Sequence, residues 1–322
     1  MAAPTNTART TTQVGNREDL SNIISRVAPE ETPFTSNIGS AGKAKAIRHE
    51  WQTEDLATPV TTGVLEGDDT TAFEENTTTR VSNICQIRKR AFSVSGTQEK
   101  VDKAGRASEI ARHSILKGKE VKRDIESAML SANASVLESG TTPRQMGGIQ
   151  SWIETNVALG SGGSAGGFNT STSIVDAPTT GTNRAFAESQ VKSVMQSIFT
   201  NSGQMKRRTL YVSPANKEDF SAFTGISEIR TAANSNSQAK VVGAADFYIG
   251  DFGELAVVPL AYGLTEAALI IDHEYVGKAT LRPYKREMLS KTGDNTKYHM
   301  LCEETLVVRN EKAHGYIGDL TQ

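Results

Sequence analysis

Residue types able to do chemistry are few in this 322-residue chain, and their spacing fits no active site. The two cysteines, Cys85 and Cys302, stand far apart and form no CxxC pair. That usage fits a reducing compartment and argues against a disulfide framework or a zinc site. The five histidines, His49, His113, His273, His299 and His314, are scattered and show no HExxH-like spacing. Asp272, His273 and Glu274 could donate metal ligands, but the histidine spacing completes no such set. The stretch GDFG at Gly250 to Gly253 contains the Asp-Phe-Gly of protein kinases without the catalytic loop and strand lysine that accompany it. It reads as a turn between strands. The glycine-rich run GSGGSAGGFNTSTS from Gly160 lacks the Gly-Lys-Ser/Thr ending of a phosphate loop and reads as a flexible loop. No Ser or Cys has a nucleophile-elbow context. The expectation is a protein with no catalytic residues, no cofactor and no metal.

The elements around these residues read as mixed α+β. Apolar residues make up 37% and charged residues 22%, which suggests less buried core per residue than in a compact enzyme. A net charge of -2 leaves no overall footprint for nucleic acid or a membrane. The N-terminal MAAPTNTARTTTQVGN is too polar for a signal peptide, and no apolar run approaches the roughly 18 residues of a membrane span. Leu20, Ile23, Ile24 and Val27 stand at helical spacing, and Pro29 and Pro33 end that helix. Residues 45–52 and 81–95 alternate as strands do and predict a long hairpin. Ser95 and Gln98 then fit a capping box. From Ala104 through Ala107, Ala111, Ile115, Val121, Ile125, Met129, Ala132 and Val136 the spacing predicts one helix, stopped by Gly140 and Pro143. At about 40 residues it would be about 60 Å long, with Gly118 as a weak point or bend. A second helix covers AFAESQVKSVMQSIFTNSG, RTLYVSP is a buried strand, and Pro214 opens a short helix. ADFYIGDFGELAVVPL and ALIIDHEYV read as strands. The chain closes on two long strand patterns joined by TGDN.

The stretch Thr53 to Arg80, TEDLATPVTTGVLEGDDTTAFEENTTTR, carries seven acidic residues and one basic residue. It has few bulky apolar side chains, and long loops without a core of their own are functional or disordered. Residues 81–125 answer it with eleven basic and five acidic residues. Three readings stay open on charge alone. The two regions are solvated faces; or the basic helix faces a nucleic-acid backbone without base readout; or the acidic excursion of one copy lies on a basic surface of its neighbour. On the last reading the candidate interface residues are Glu66, Asp68, Asp69, Glu74 and Glu75 against Arg88, Lys89, Arg90, Arg106 and Arg112. Regularly interleaved aromatics are absent, which argues against stacking on single strands.

The order of parts (polar arm, projecting hairpin, long helix, mixed α/β region, closing strands) is similar to the Hong Kong 97-type major capsid proteins of tailed phages. NREDLSNIISRVAPEETPF, TEDLATP, YVSP, GDFGELAVVP and above all EETLVVRNEKAHGYIGDL resemble one family of phage head proteins assigned to that fold. The resemblance covers the chain from about residue 14 to its end.

The resemblance implies an N-terminal arm over residues 1–44 and an extended loop over 45–96 with its tip near Gly67. It implies a peripheral-domain spine helix over 97–144, an axial domain over 145–275, and peripheral strands with the C-terminus over 276–322. The implied product is a homo-oligomeric shell of pentamers and hexamers, assembled in a bacterial cytoplasm and becoming the virion capsid. It would enclose packaged double-stranded DNA without reading its sequence and would hold a portal protein. Scaffolding and decoration proteins are further partners left open, and no membrane is implied. Only residues 1–44 precede the hairpin, which favours a separate scaffolding protein or none. The hairpin has no lysine between Lys45 and Lys89, so cross-linking through a tip lysine is not expected. The alternative within the same fold is an encapsulin-like nanocompartment shell.

Overall fold

The computed structural model describes residues 28–69, 73, 75–223 and 246–322. The helix expected around Leu20 to Val27 and the interface candidate Glu74 lie outside the described residues. The described chain opens with a one-turn helix α1 (Pro33–Asn37) and strand β1 (Gly39–Lys43). β2 (Arg48–Thr53) pairs antiparallel with β3 (Thr79–Ile84), Arg48 opposite Ile84 and Thr53 opposite Thr79. The excursion is thus held at both ends by a hairpin, as its flanks predict. The strand pattern over 81–95 divides at Cys85, and β4 (Gln86–Ser95) leaves the hairpin for another sheet.

The helix expected over Ser95 to Ser139 is two helices and a loop. Ser95 does cap a helix, its Oγ accepting from the Gln98 N–H at 3.2 Å, but α2 (Gly96–Lys100) stops after five residues. Val101 is extended, and Gly105 takes a left-handed φ of +73° that a helix cannot contain. Ser108 then caps α3 (Glu109–Leu130), 22 residues and about 33 Å long. Ala104 and Ala107 fall in the loop. Val136 lies beyond the helix and bridges Gln145 instead. The helix ends where the returning chain packs on it: a Cβ on Gly148 would meet the Ser131 carbonyl oxygen at 2.0 Å. Gly118 is no break, because α3 runs through it. The space its missing side chain leaves takes the Tyr284 hydroxyl, 2.9 Å from an ideal Cβ.

Short elements follow: α4 (Ile149–Trp152), β5 (Val157–Ala158), β6 (Gly167–Asn169) and β7 (Ile174–Asp176). The amphipathic helix α5 (Glu188–Ser202) ends at Gly203, as predicted. β8 (Arg208–Val212), α6 (Pro214–Ser221), β9 (Phe247–Gly250), β10 (Gly253–Pro259) and β11 (Ala268–Ile271) come next. The closing strands are β12 (Val276–Met288), β13 (Asn295–Val308) and the short β14 (Gly315–Ile317).

Two sheets organise the molecule. One runs β1-β12-β13-β4 and receives α3 through Phe92, Val94, Val121, Met300 and Cys302. The other runs β5-β14-β11-β8-β10-β9 and is covered by α5 through Val191, Val194, Met195 and Ile198. GDFG is the β9–β10 turn, with Gly250 opposite Gly253. The last strand crosses from the first sheet's neighbourhood to the second, where β14 pairs with β11 and β5. A shared core containing Phe34, Met129, Leu130, Trp152, Tyr211, Leu269 and Leu306 joins the two halves.

The glycine-rich run from Gly160 is a folded element built around one carboxylate. Asp319 Oδ2 accepts from the Gly160 N–H and Oδ1 from the Gly181 N–H, both at 2.8 Å. A Cβ on Gly163 would lie 2.7 Å from Asp319 Oδ2, so glycine is needed here for close approach. Asp319 is itself buried and left-handed, at φ +58°. Each buried donor left unsatisfied costs about 1–3 kcal/mol. Asp319→Ala is therefore expected to lower stability by about 2–5 kcal/mol in denaturant unfolding; an unchanged midpoint would mean that the tail is held by other contacts.

His314 gives the fold an acid limit. It is wholly buried, and its Nδ1 accepts from the Asp272 N–H at 3.2 Å. Burial first, then Arg208 and His273, pushes its pKa down from 6.5 to about 3. The unfolded chain binds a proton below 6.5 that the folded chain refuses until about 3, so stability falls as pH drops through that window. The loss is about 1.4 kcal/mol per pH unit. Denaturant unfolding at pH 7 and pH 5 should differ by about 2 kcal/mol from this group, and His314→Gln should flatten the slope.

Candidate assembly interface

The excursion between β2 and β3 has no core of its own. Leu56, Val60, Val64, Leu65 and Phe73 are 93%, 76%, 81%, 85% and 87% exposed. Glu66, Asp68, Asp69 and Glu75 are exposed beside them. Gly67, at φ +81°, turns the chain at the expected tip, and the Asp68 N–H donates to the Leu65 carbonyl at 3.2 Å. The base is fixed firmly. Trp51 Nε1 donates to the Val308 carbonyl at 3.0 Å, and its ring packs on Trp152 with centroids 5.3 Å apart. One ion pair, Asp55 with Lys312 at 2.9 Å, ties the first residues of the excursion to the body.

The nominated basic residues are mostly committed within the chain. Arg90 forks onto Asp124 with contacts of 2.6 and 2.7 Å. Arg106 and Arg112 both grip the buried Glu109, Arg112 at 2.9 Å. Hydrogen bonding from Arg112, reinforced by Arg106 against the cost of burial, draws the Glu109 carboxyl down to about 2. Arg88 is half-buried, and burial lowers its pKa while Asp124 opposes the change. Lys117 pairs with Glu120 at 2.8 Å, and Lys119 pairs with Glu30. Of the five nominated cations, Lys89 alone is exposed without an ion pair among the described residues. The sequence count of basic residues was correct, but spacing does not reveal which carboxylate each one meets across the fold. The apolar row on the loop was the signal passed over: Leu56, Val60 and Val64 recur every fourth residue in a stretch read as merely polar.

The other chemical candidates take separate structural roles. Asp272 Oδ1 accepts from the Glu274 N–H at 3.1 Å, His273 bonds Thr209 Oγ1 at 3.1 Å, and Glu274 pairs with Lys206 at 2.6 Å. Burial pushes the Cys85 and Cys302 thiols up to about 11 and 12, which makes both poor nucleophiles. Among the described residues no three ligand-type side chains gather as a metal site, and no helix is long and apolar enough to cross a membrane.

Comparison with known proteins bears on this arrangement. The family described as SU10 major capsid protein matches residues 4–321. The major capsid protein of Escherichia phage Phieco32 is 34% identical over 123 residues, 38% of this chain. The chain spans 35% of the length of that relative. The capsid subunit of cyanophage A-1(L) superposes with a TM-score of 0.62 at 12% identity, over 95% of this chain and 98% of that one. The SrpI encapsulin of Synechococcus elongatus does so at 0.56 and 9% identity, over 96% and 94%. Identities this low speak for the fold alone, which is the Hong Kong 97-type capsid fold. The family match runs nearly end to end, and the chain belongs to the SU10 major capsid protein family.

Proposed function

We propose that this chain assembles through its projecting excursion into the icosahedral head of a tailed phage. The exposed apolar row on that excursion carries the reading. Fully burying a Val, Leu or Phe side chain is worth about 1.5–3 kcal/mol, whereas an exposed ion pair contributes about 0–1 kcal/mol. Five such side chains on one loop therefore outweigh the ion pairs its carboxylates could make at a surface. The loop's binding strength comes from apolar burial on a neighbouring copy, and its charges choose the position.

On this reading residues 1–44 form the arm, 45–96 the extended loop, 97–144 the peripheral segment containing α3, and 145–275 the axial domain. Residues 276–322 return through the peripheral sheet, although β14 lies in the six-stranded sheet. Pentamers and hexamers close the shell in the host cytoplasm around double-stranded DNA, with a portal at one vertex. The shell serves as a container and performs no reaction. The encapsulin fold match leaves architecture common to both kinds of shell, and the family match favours the phage head.

The chain expressed alone and viewed by negative-stain electron microscopy should give closed shells or rings of five and six subunits. A folded monomer at every concentration, with or without the other head proteins, would overturn the reading. Replacing residues 56–69 by a short Gly-Ser link should abolish shells while leaving the melting temperature of the subunit within a few degrees, because the loop adds nothing to the core. Denaturing gels of mature particles should show a single band near 34.6 kDa, since a tip lysine for covalent welding is missing; a ladder of higher bands would refute that expectation.

A further inference from the structure

A cleft of about 310 Å³ opens between α1, α3 and the paired strands β12 and β13. It contains none of the basic residues nominated from sequence. Lys122 on α3 and Lys278 on β12 line it, and neither ammonium has an ion pair or hydrogen bond within the described residues. That sets them apart from the committed Arg90, Arg106, Arg112, Lys117 and Lys119. Ile125 and the half-exposed Tyr284 supply an apolar wall. Glu304 also faces the cleft, with Oε1 3.5 Å from Thr280 Oγ1. Two ammoniums against one carboxylate leave the cleft positive.

The tip of the excursion has the opposite character. Glu66, Asp68 and Asp69 stand within four residues around the Gly67 turn, directly after Val64 and Leu65. None of the three carboxylates has an ion pair among the described residues. We propose that the cleft receives this tip from a second copy of the chain, with Glu66, Asp68 and Asp69 meeting Lys122 and Lys278 while Val64 and Leu65 pack on Ile125 and Tyr284. The proposal rests on the assembly reading above and names the surface that reading left open. The loop is long enough to leave its own subunit, because the fifteen residues from Thr53 to Gly67 span up to about 50 Å when extended. The pairing also explains why Lys122 and Lys278 are left unpaired on two elements where Arg112, Lys117, Lys119, Arg282 and Lys285 all have carboxylate partners.

Zero-length carbodiimide coupling of particles assembled from mixed light and heavy isotope chains tests the contact directly. The expected product is a mixed-isotope peptide joining Lys122 or Lys278 to Glu66, Asp68 or Asp69. Charge reversal supplies the functional arm. Lys122→Glu with Lys278→Glu should reduce closed shells at least about tenfold, and adding Glu66→Lys, Asp68→Lys and Asp69→Lys to the same chain should restore them. Melting curves of the unassembled subunits identify a variant that has failed to fold, in which case the coupling result decides. Shells at wild-type yield from the cleft reversal, or couplings from the tip only to other lysines, would overturn the assignment. If the loop replacement still abolishes shells in that event, the assembly reading stands and only the cleft is wrong. Shells formed without the loop would remove the assembly reading itself.

Discussion

A side chain such as Leu56 or Leu65 held in water on a projecting loop has no stabilising contact inside its own subunit. The β2–β3 hairpin nevertheless holds both ends of that loop in fixed register, and Trp51 locks the hairpin to the body. The chain therefore orders the base of an element whose apolar surface it cannot cover. Ordering costs conformational entropy, about 1–2 kcal/mol for each backbone residue. The β2–β3 ladder and the Trp51 contacts offset that cost at the base, whereas the exposed apolar side chains farther out gain only by burial against another molecule, which is what the assembly proposal supplies. Much of the remaining structure can be understood as the rigid support that aims it.

Buried carboxylates do much of that supporting, each tying an irregular segment to a regular one. Glu126 on α3 accepts from the N–H groups of Phe34 and Thr35 at 2.9 and 2.7 Å and so fixes the start of α1 against the helix. Glu109 gathers Arg106 and Arg112 at the first turn of α3. Glu303 on β13 meets Arg282 at 2.6 Å and also Arg144 from the loop after α3. Asp319 closes the glycine-rich run onto the tail. Breaking a buried pair costs far more than an exposed pair contributes, because the remaining charge is stranded. These ties make loops behave as parts of the core, and at the first turn of α3 the Glu109 tie takes up Arg112 together with the neighbouring Arg106.

Much of the fold was legible in the sequence where a pattern was local. The closing hairpin β12–β13, the helix ending at Gly203 and the strand before Pro214 follow from alternation, helical spacing or turn chemistry, whereas the turn near Gly67 was implied by the family resemblance alone. The failures have a common cause. Small residues at helical spacing through Ala104, Ala107, Ala132 and Val136 fit a helix, but Gly105 turns left-handed and the chain from Gly148 packs over Ser131. The glycines from Gly160 read as flexibility when their lack of side chains admits a carboxylate 159 positions away in sequence. At the candidate interface, the acidic stretch was visible as composition. The partners of Arg90, Arg106 and Arg112 were not, because an ion pair such as Arg90 with Asp124 joins residues 34 positions apart.

On the assembly proposal, apolar and charged groups on one loop would divide the work of recognition. Apolar burial is strong but tolerates sliding, since Val60 and Val64 would fit a greasy groove in several positions. In a shell built as proposed, sliding would be harmful, because each copy would have to present the same contact to its neighbour. Charges at the end of the loop penalise each wrong position by leaving a carboxylate or an ammonium desolvated and unpaired. A register set this way costs little affinity and still lets the apolar contact flex. The placement of carboxylates at the turn and apolar residues along the shank is what this division requires: the end of a lever is where a small slip makes the largest displacement.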